Sequence, residues 1–80
     1  MVIAETNQGY NIEAAEIYSG SGDNARAVVL AHNEETNMWA TWECTKGNYF
    51  YWGHYFDAKN DAMKDYHARL LNNYDLPWKE

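Results

Sequence analysis

The sequence predicts an α+β domain in which an antiparallel sheet of four to five strands, connected as a meander, is followed by one C-terminal helix packed on one face. Two observations predict this fold. Apolar residues recur with the period of a strand, or run continuously over strand length, between residues 25 and 56, and they recur with the period of a helix after Asp57. Clusters of Gly, Asn, Ser and Asp separate the strand-length pieces. At 80 residues the chain has room for one domain, spanning residues 1–80.

The first eighteen residues have the least distinct pattern. Ile12 to Tyr18 fits the spacing of a strand and that of a helix almost equally, and we interpret it as a strand. We expect Val2 to Glu5 to pair with it through a turn at Asn7 to Gly9, which gives the fifth strand.

The next two segments predict the centre of the sheet. Ala25 to His32 contains the continuous apolar run Val28-Val29-Leu30, which is typical of a strand covered on both faces. Met38 to Glu43 alternates instead, with Trp42 on one face and Trp39 and Glu43 on the other.

The aromatic segment Tyr49 to Phe56 is the most unusual stretch. Strict alternation assigns to the core three residues, Phe50, Trp52 and Phe56. It places on the opposite side a predicted tyrosine face made of Tyr49, Tyr51 and Tyr55, joined by Trp39 from the neighbouring strand. Tyr and Trp supply large amphipathic contact areas, so this face is a candidate partner-binding surface. Cover by upstream residues or by a dimer mate is an equal alternative.

After Asp57 the pattern predicts a helix. Its apolar stripe consists of Met63, Tyr66, Leu70 and Tyr74, with Ala62 and Leu71 beside them. Asp57 is the expected N-cap residue, and Asn72-Asn73 followed by Pro77 predicts the end. We expect Leu76 to Trp78 to fold back onto the domain.

An acidic row lies along the predicted helix. Asp57, Asp61 and Asp65 are spaced four residues apart, a rise of about 6 Å per step. With Glu34, Glu35 and Glu43 they could imitate a phosphate backbone and bind a partner. The favoured alternative is an ordinary solvated face in which Asp65 pairs with Arg69.

Metal, cofactor and enzyme chemistry are not expected. The single cysteine, Cys44, excludes an intramolecular disulfide and a multi-cysteine zinc site. His32, His54 and His67 lie on separate predicted elements at no recurrent ligand spacing. No catalytic or phosphate-binding motif occurs in the sequence.

Charge and hydropathy indicate the class of partner. Twelve acidic residues against six basic ones give a formal net charge of -6, which disfavours direct nucleic-acid binding and favours a protein partner with a basic surface. No apolar run predicts a signal peptide or a membrane span. Together with the single cysteine, this predicts a cytoplasmic protein.

As a whole, the chain resembles the small acidic single-domain inhibitors that phages and mobile elements make against bacterial defence, the anti-CRISPR proteins among them. The resemblance rests on the sheet-then-helix layout, on Tyr49 to Phe56 and on the acidic row; no motif of a single family is matched, so no residue role is carried over. It implies steric or electrostatic blocking of a basic nucleic-acid-binding partner. The alternative is a homodimeric regulatory or structural domain that uses its tyrosine face as the dimer interface.

Overall fold

The computed structural model describes residues 2–74 and confirms the predicted fold. Its sheet is antiparallel, with five strands in the same order as the chain, and one helix follows. The elements are β1 Thr6–Asn7, β2 Tyr10–Ser19, β3 Arg26–Asn33, β4 Met38–Thr45, β5 Tyr49–Phe56 and α1 Lys59–Tyr74, with a 3-10 turn at Gly22–Asn24 between β2 and β3. Within the described residues, no helix has the length and apolar character needed to cross a membrane.

The N-terminal hairpin differs in position from the prediction. Gln8 and Gly9 form its two-residue turn with positive φ at both positions (52° and 86°), which matches the twist of the flanking strands. The first strand is therefore Thr6–Asn7, and the prediction of a strand at Val2 to Glu5 is wrong. The interpretation of Ile12 to Tyr18 as a strand is confirmed, because the segment lies within β2.

The sheet buries side chains on both faces. We call the side covered by α1 the helix face and the other side the far face. The helix-face cluster is Val28, Leu30, Ala62, Tyr66 and Leu70, and the far-face cluster is Ala27, Val29, Ala31, Ala40, Trp42 and Cys44. β3 contributes residues to both clusters, which confirms the prediction that its continuous apolar run is covered on both faces.

Small residues at the centre of the far face allow aromatic side chains to close over it. Ala31 and Ala40 lie opposite each other in β3 and β4. The ring of Tyr10, from β2, lies 5.4 Å from the ring of Trp42 and 6.1 Å from that of Tyr55 in β5, although two strands separate β2 from β5. Within residues 2–74, these rings rather than a helix or a second sheet shield the alanines.

The helix packs through the predicted stripe with two corrections. Ala62, Tyr66 and Leu70 are buried, but Leu71 is 63% exposed because it lies about 180° around the helix from Ala62. The helix begins at Lys59, so Asp57 lies outside its first turn and is not the N-cap residue. The expectations for the Tyr74 side chain, Leu76 to Trp78 and the stop at Pro77 lie outside the described residues.

Candidate functional site

A β-bulge interrupts the pairing of β4 with β5. Thr41 is paired with His54 and Glu43 with Tyr51, so that Trp52 and Gly53 together lie opposite Trp42. Two residues opposite one define a bulge, and the bulge reverses the alternation of side chains beyond it.

The predicted tyrosine face is wrong because of this bulge. Tyr51 lies opposite Glu43 on the helix face, and Tyr49 shares that side, with the two rings 5.6 Å apart. Tyr55, beyond the bulge, lies opposite Ala40 on the far face, where its ring contacts that of Trp42 at 5.9 Å. Alternation from Tyr49 to Phe56 does not hold, so the three tyrosines cannot form one surface.

The predicted core of β5 is also corrected. Trp52 is 73% exposed, so its assignment to the core is wrong. Phe50 packs on the far-face cluster and Phe56 on the helix-face cluster, so these two residues are partly buried on opposite sides. Trp52 has φ 54°, a region that bulky side chains rarely adopt.

The bulge requires glycine at position 53 because there is no room for a side chain there. A Cβ at this position would lie 2.5 Å from Nε1 of Trp42 and 2.9 Å from the hydroxyl of Tyr55. The buried indole of Trp42 therefore lies directly against the backbone of Gly53, and the glycine permits that contact.

A buried charged network connects the bulge to the helix, with Arg69 at its centre. Arg69 is 9% exposed and its partner Glu43 is 5% exposed. Nη1 of Arg69 donates to Oε2 of Glu43 at 3.0 Å, and Nη2 donates to the carbonyl oxygen of Trp52. Nε lies 3.1 Å from both Oδ2 of Asp65 and Oγ1 of Thr41. The Asp65–Arg69 pair proposed from the sequence is confirmed, but the solvated face expected to contain it is wrong, because Arg69 is buried.

Asp65 is held by three side chains at one carboxylate oxygen. Oδ2 accepts the hydroxyl of Thr41 at 2.5 Å and lies 3.0 Å from Nδ1 of His54, in addition to its contact with Arg69. Burial alone would raise the pKa of Asp65, but the hydrogen bonds from Thr41, His54 and Arg69 outweigh it and lower the pKa.

Tyr18 completes the network from β2. Its hydroxyl donates to Oε1 of Glu43 at 2.9 Å, so both carboxylate oxygens of Glu43 are engaged. Burial, followed by the hydrogen bond to Glu43, raises the pKa of Tyr18 well above its ordinary value.

The acidic candidates separate into exposed and internal residues. Glu34 and Glu35 are exposed in the turn between β3 and β4, and Asp57 and Asp61 are exposed at the start of α1, at the same end of the sheet. We call these four residues the acidic end. Glu43 and Asp65 are engaged inside the network, so the prediction that they form part of an acidic partner-binding surface is corrected.

Trp39 also lies at the acidic end rather than on a tyrosine face. Its half-buried ring stacks on His32 at 4.1 Å, and Nζ of Lys59 lies 5.4 Å from the ring centre. The Trp39 ring, which was expected to join Tyr49 and Tyr51, is therefore already in contact with side chains of its own domain.

A second surface lies toward the start of β5. Tyr49 is 62% exposed, Tyr51 is partly buried, and the ring of Tyr51 lies 5.0 Å from that of Trp52. We call Tyr49, Tyr51 and Trp52 the aromatic surface. Tyr49 and Asp57 lie at opposite ends of β5, and eight steps at about 3.3 Å per residue separate them by about 26 Å at most.

Sequence reasoning missed two residues that organise this region, Thr41 and Tyr18, and it missed the burial of Arg69 against Glu43. One signal was present. Arg69 falls within the apolar stripe, three residues after Tyr66, and a charge in that position indicates a buried acidic partner on the strand beneath.

The histidines and the cysteine do not converge. His32 bonds to Oδ1 of Asn37, His54 bonds to Asp65, and Cys44 is buried in the far-face cluster. Across residues 2–74 there is no group of three or more His, Cys, Asp or Glu side chains placed to hold a metal ion.

Fold and site together define a small α+β domain with a charged interior and an exposed aromatic surface. Comparisons with protein-family models, with curated proteins and with solved structures found no match to this chain.

Proposed function

We propose that this domain acts by binding another protein, with the aromatic surface as the central contact. The observation that carries the proposal is Trp52, a large apolar side chain directed to solvent from a backbone conformation that is unfavourable for it. Strained backbone persists where surrounding contacts enforce it, and such positions cluster at functional sites. Trp and Tyr are also the residues that most often dominate the energy of protein interfaces.

The charge of the chain supports a basic partner. The acidic end presents four exposed carboxylates, and the formal net charge is -6. Such a field accelerates association with a Lys- and Arg-rich surface. A protein that binds nucleic acid has such a surface, so the domain would act as an inhibitor that occupies it sterically or electrostatically, in the manner of an anti-CRISPR protein.

The proposal is tested by capture on the immobilised domain from a lysate of the source host, followed by elution with heparin. Heparin is a polyanion that competes for basic grooves, so we expect it to release the captured protein. Neutralising the acidic end with Glu34→Gln, Glu35→Gln, Asp57→Asn and Asp61→Asn should weaken capture at low salt. Capture that withstands both heparin and the four substitutions would contradict a basic partner.

A second candidate is a homodimeric regulatory or structural domain. It is favoured by the same exposed rings, because an apolar surface of this kind in a monomer marks an interface. Sedimentation equilibrium separates the two. A dimer that dissociates on Trp52→Ser would favour the second candidate, and a monomeric wild type would favour the first.

A further inference from the structure

The carbonyl oxygen of the bulge residue Trp52 is bound by Arg69 from the helix. The guanidinium is a rigid planar group with five N–H donors, so fixing two of its nitrogens fixes the direction of the third. In this domain Nη1 is fixed by Glu43, and Nε by Asp65 and Thr41. The remaining nitrogen, Nη2, is thereby directed at the Trp52 carbonyl.

This bond matters because the bulge lies on an edge strand of the described sheet. β5 is the last strand in the sheet order, so β4 is its only strand neighbour among residues 2–74. Trp52 has φ 54°, and a bulky residue released from restraint would leave that region for a common one. Leaving it would change the direction of both the carbonyl group and the side chain.

We infer that Arg69 is the positioning residue of the aromatic surface. By holding the Trp52 carbonyl toward the helix, it directs the indole away from the sheet and beside the ring of Tyr51, 5.0 Å away. The buried charges Glu43 and Asp65 serve this purpose by orienting the guanidinium. The importance of this arrangement for binding rests on the proposed function, but the arrangement itself is measurable in the free protein.

The test is ¹⁹F NMR of protein labelled with 5-fluorotryptophan, in which Trp52→Phe assigns the Trp52 line among the four tryptophans. Arg69→Lys keeps the positive charge but loses the planar guanidinium group with its several N–H donors. We expect the Trp52 line to shift or split in Arg69→Lys, while the line of Trp39, which stacks on His32 at the acidic end, keeps its position. An unchanged Trp52 line in the folded variant would overturn the inference.

Glu43→Gln is the matched control, because it removes the charge of the ion pair while its amide oxygen still accepts a hydrogen bond from Nη1 and keeps the guanidinium oriented. We expect its Trp52 line to stay close to the wild-type position; equal shifts in both variants would indicate general loosening and overturn the inference. If Arg69→Lys fails to fold, the positioning is tested instead by a nuclear Overhauser measurement on the wild-type protein. Nuclear Overhauser contacts between the Arg69 Nη2 protons and the Gly53 Hα protons, which lie on the same side of the trans peptide as the Trp52 carbonyl oxygen, support the positioning, and their absence overturns it.

Failure of the positioning and failure of the proposed function are distinguishable. A Trp52 line that moves in Arg69→Lys, with capture of a partner unchanged, leaves the positioning intact and contradicts binding through Trp52.

Discussion

Arg69 of the helix and Glu43 of the fourth strand form an ion pair inside the domain, with Nη1 and Oε2 3.0 Å apart. Both side chains are buried, and Arg69 is the basic partner of Glu43 while it also pairs with Asp65. The pair also joins the two layers of the fold at the bulge that presents Trp52.

Removing one member of this pair should destabilise the domain severely. Glu43→Ala removes the acceptor of Nη1 and leaves the buried Arg69 guanidinium with Asp65 as its remaining acidic partner, so we expect a loss on the order of 3 kcal/mol in the free energy of unfolding. Urea denaturation followed by circular dichroism measures it. Glu35→Ala, in an exposed turn, is the control and should change stability by less than about 0.5 kcal/mol. A double-mutant cycle with Arg69→Met isolates the pair: we expect Glu43→Ala to cost less in the Arg69→Met background, and an equal cost in both backgrounds would contradict this explanation.

Gly53→Ala should destabilise through a steric conflict with Trp42. The new methyl group would lie 2.5 Å from Nε1 of the indole, and overpacking of this kind costs about 1–3 kcal/mol. A double-mutant cycle with Trp42→Phe tests the cause, because the smaller ring removes the atoms in conflict. We expect the cost of Gly53→Ala to fall in that background. An equal cost in both backgrounds would contradict a conflict with Trp42.

The fold could be predicted because the patterns that specify it are local. Turn residues divided the chain correctly, and the limits of β5 agree with those predicted, Tyr49 to Phe56. The bulge could not be predicted, because Trp52-Gly53 within an aromatic run carries no signal for it beyond an isolated glycine. One additional residue in a strand exchanges its two faces, so a correct strand gave an incorrect surface.

Acid should weaken the domain through Asp65. Its pKa is lowered in the folded state, so its contribution is complete above the unfolded value of about 3.9 and is lost as the pH falls through the folded value. Asp65→Asn should therefore differ most from wild type near neutral pH, and the difference should shrink as the pH falls below about 4. Urea midpoints across this range measure it. A difference independent of pH would show that the charge of Asp65 is not responsible.

Alkaline pH should weaken the domain through ionisation of Tyr18. Its pKa is raised by burial and by the hydrogen bond to Glu43, so its contribution is complete below the unfolded value of about 10 and is lost as the pH rises beyond it. In a spectrophotometric titration of tyrosinate, the last tyrosine to ionise before unfolding should be absent in Tyr18→Phe. Tyr49→Phe, at an exposed ring, is the control. Persistence of the late step in Tyr18→Phe would contradict the assignment.

The candidate site was predicted less well than the fold because it depends on tertiary pairing. Four acidic residues lie at the surface as expected. Glu43 and Asp65 do not, because both pair with the buried Arg69 side chain. The sequence places Asp65 four residues before Arg69, which indicated that pair. It gives no comparable local relation between Glu43 and Arg69, which lie 26 residues apart.

The central claim, that the domain binds a partner protein through its aromatic surface, is tested most directly by comparing capture on three immobilised proteins. These are the wild type, the double variant Tyr49→Ser, Trp52→Ser, and the control Leu71→Ser, which removes an exposed apolar side chain from the helix. We predict that one host protein is retained by wild type and Leu71→Ser and lost with the double variant. Equal retention by all three proteins, with folding confirmed by circular dichroism, would contradict the claim.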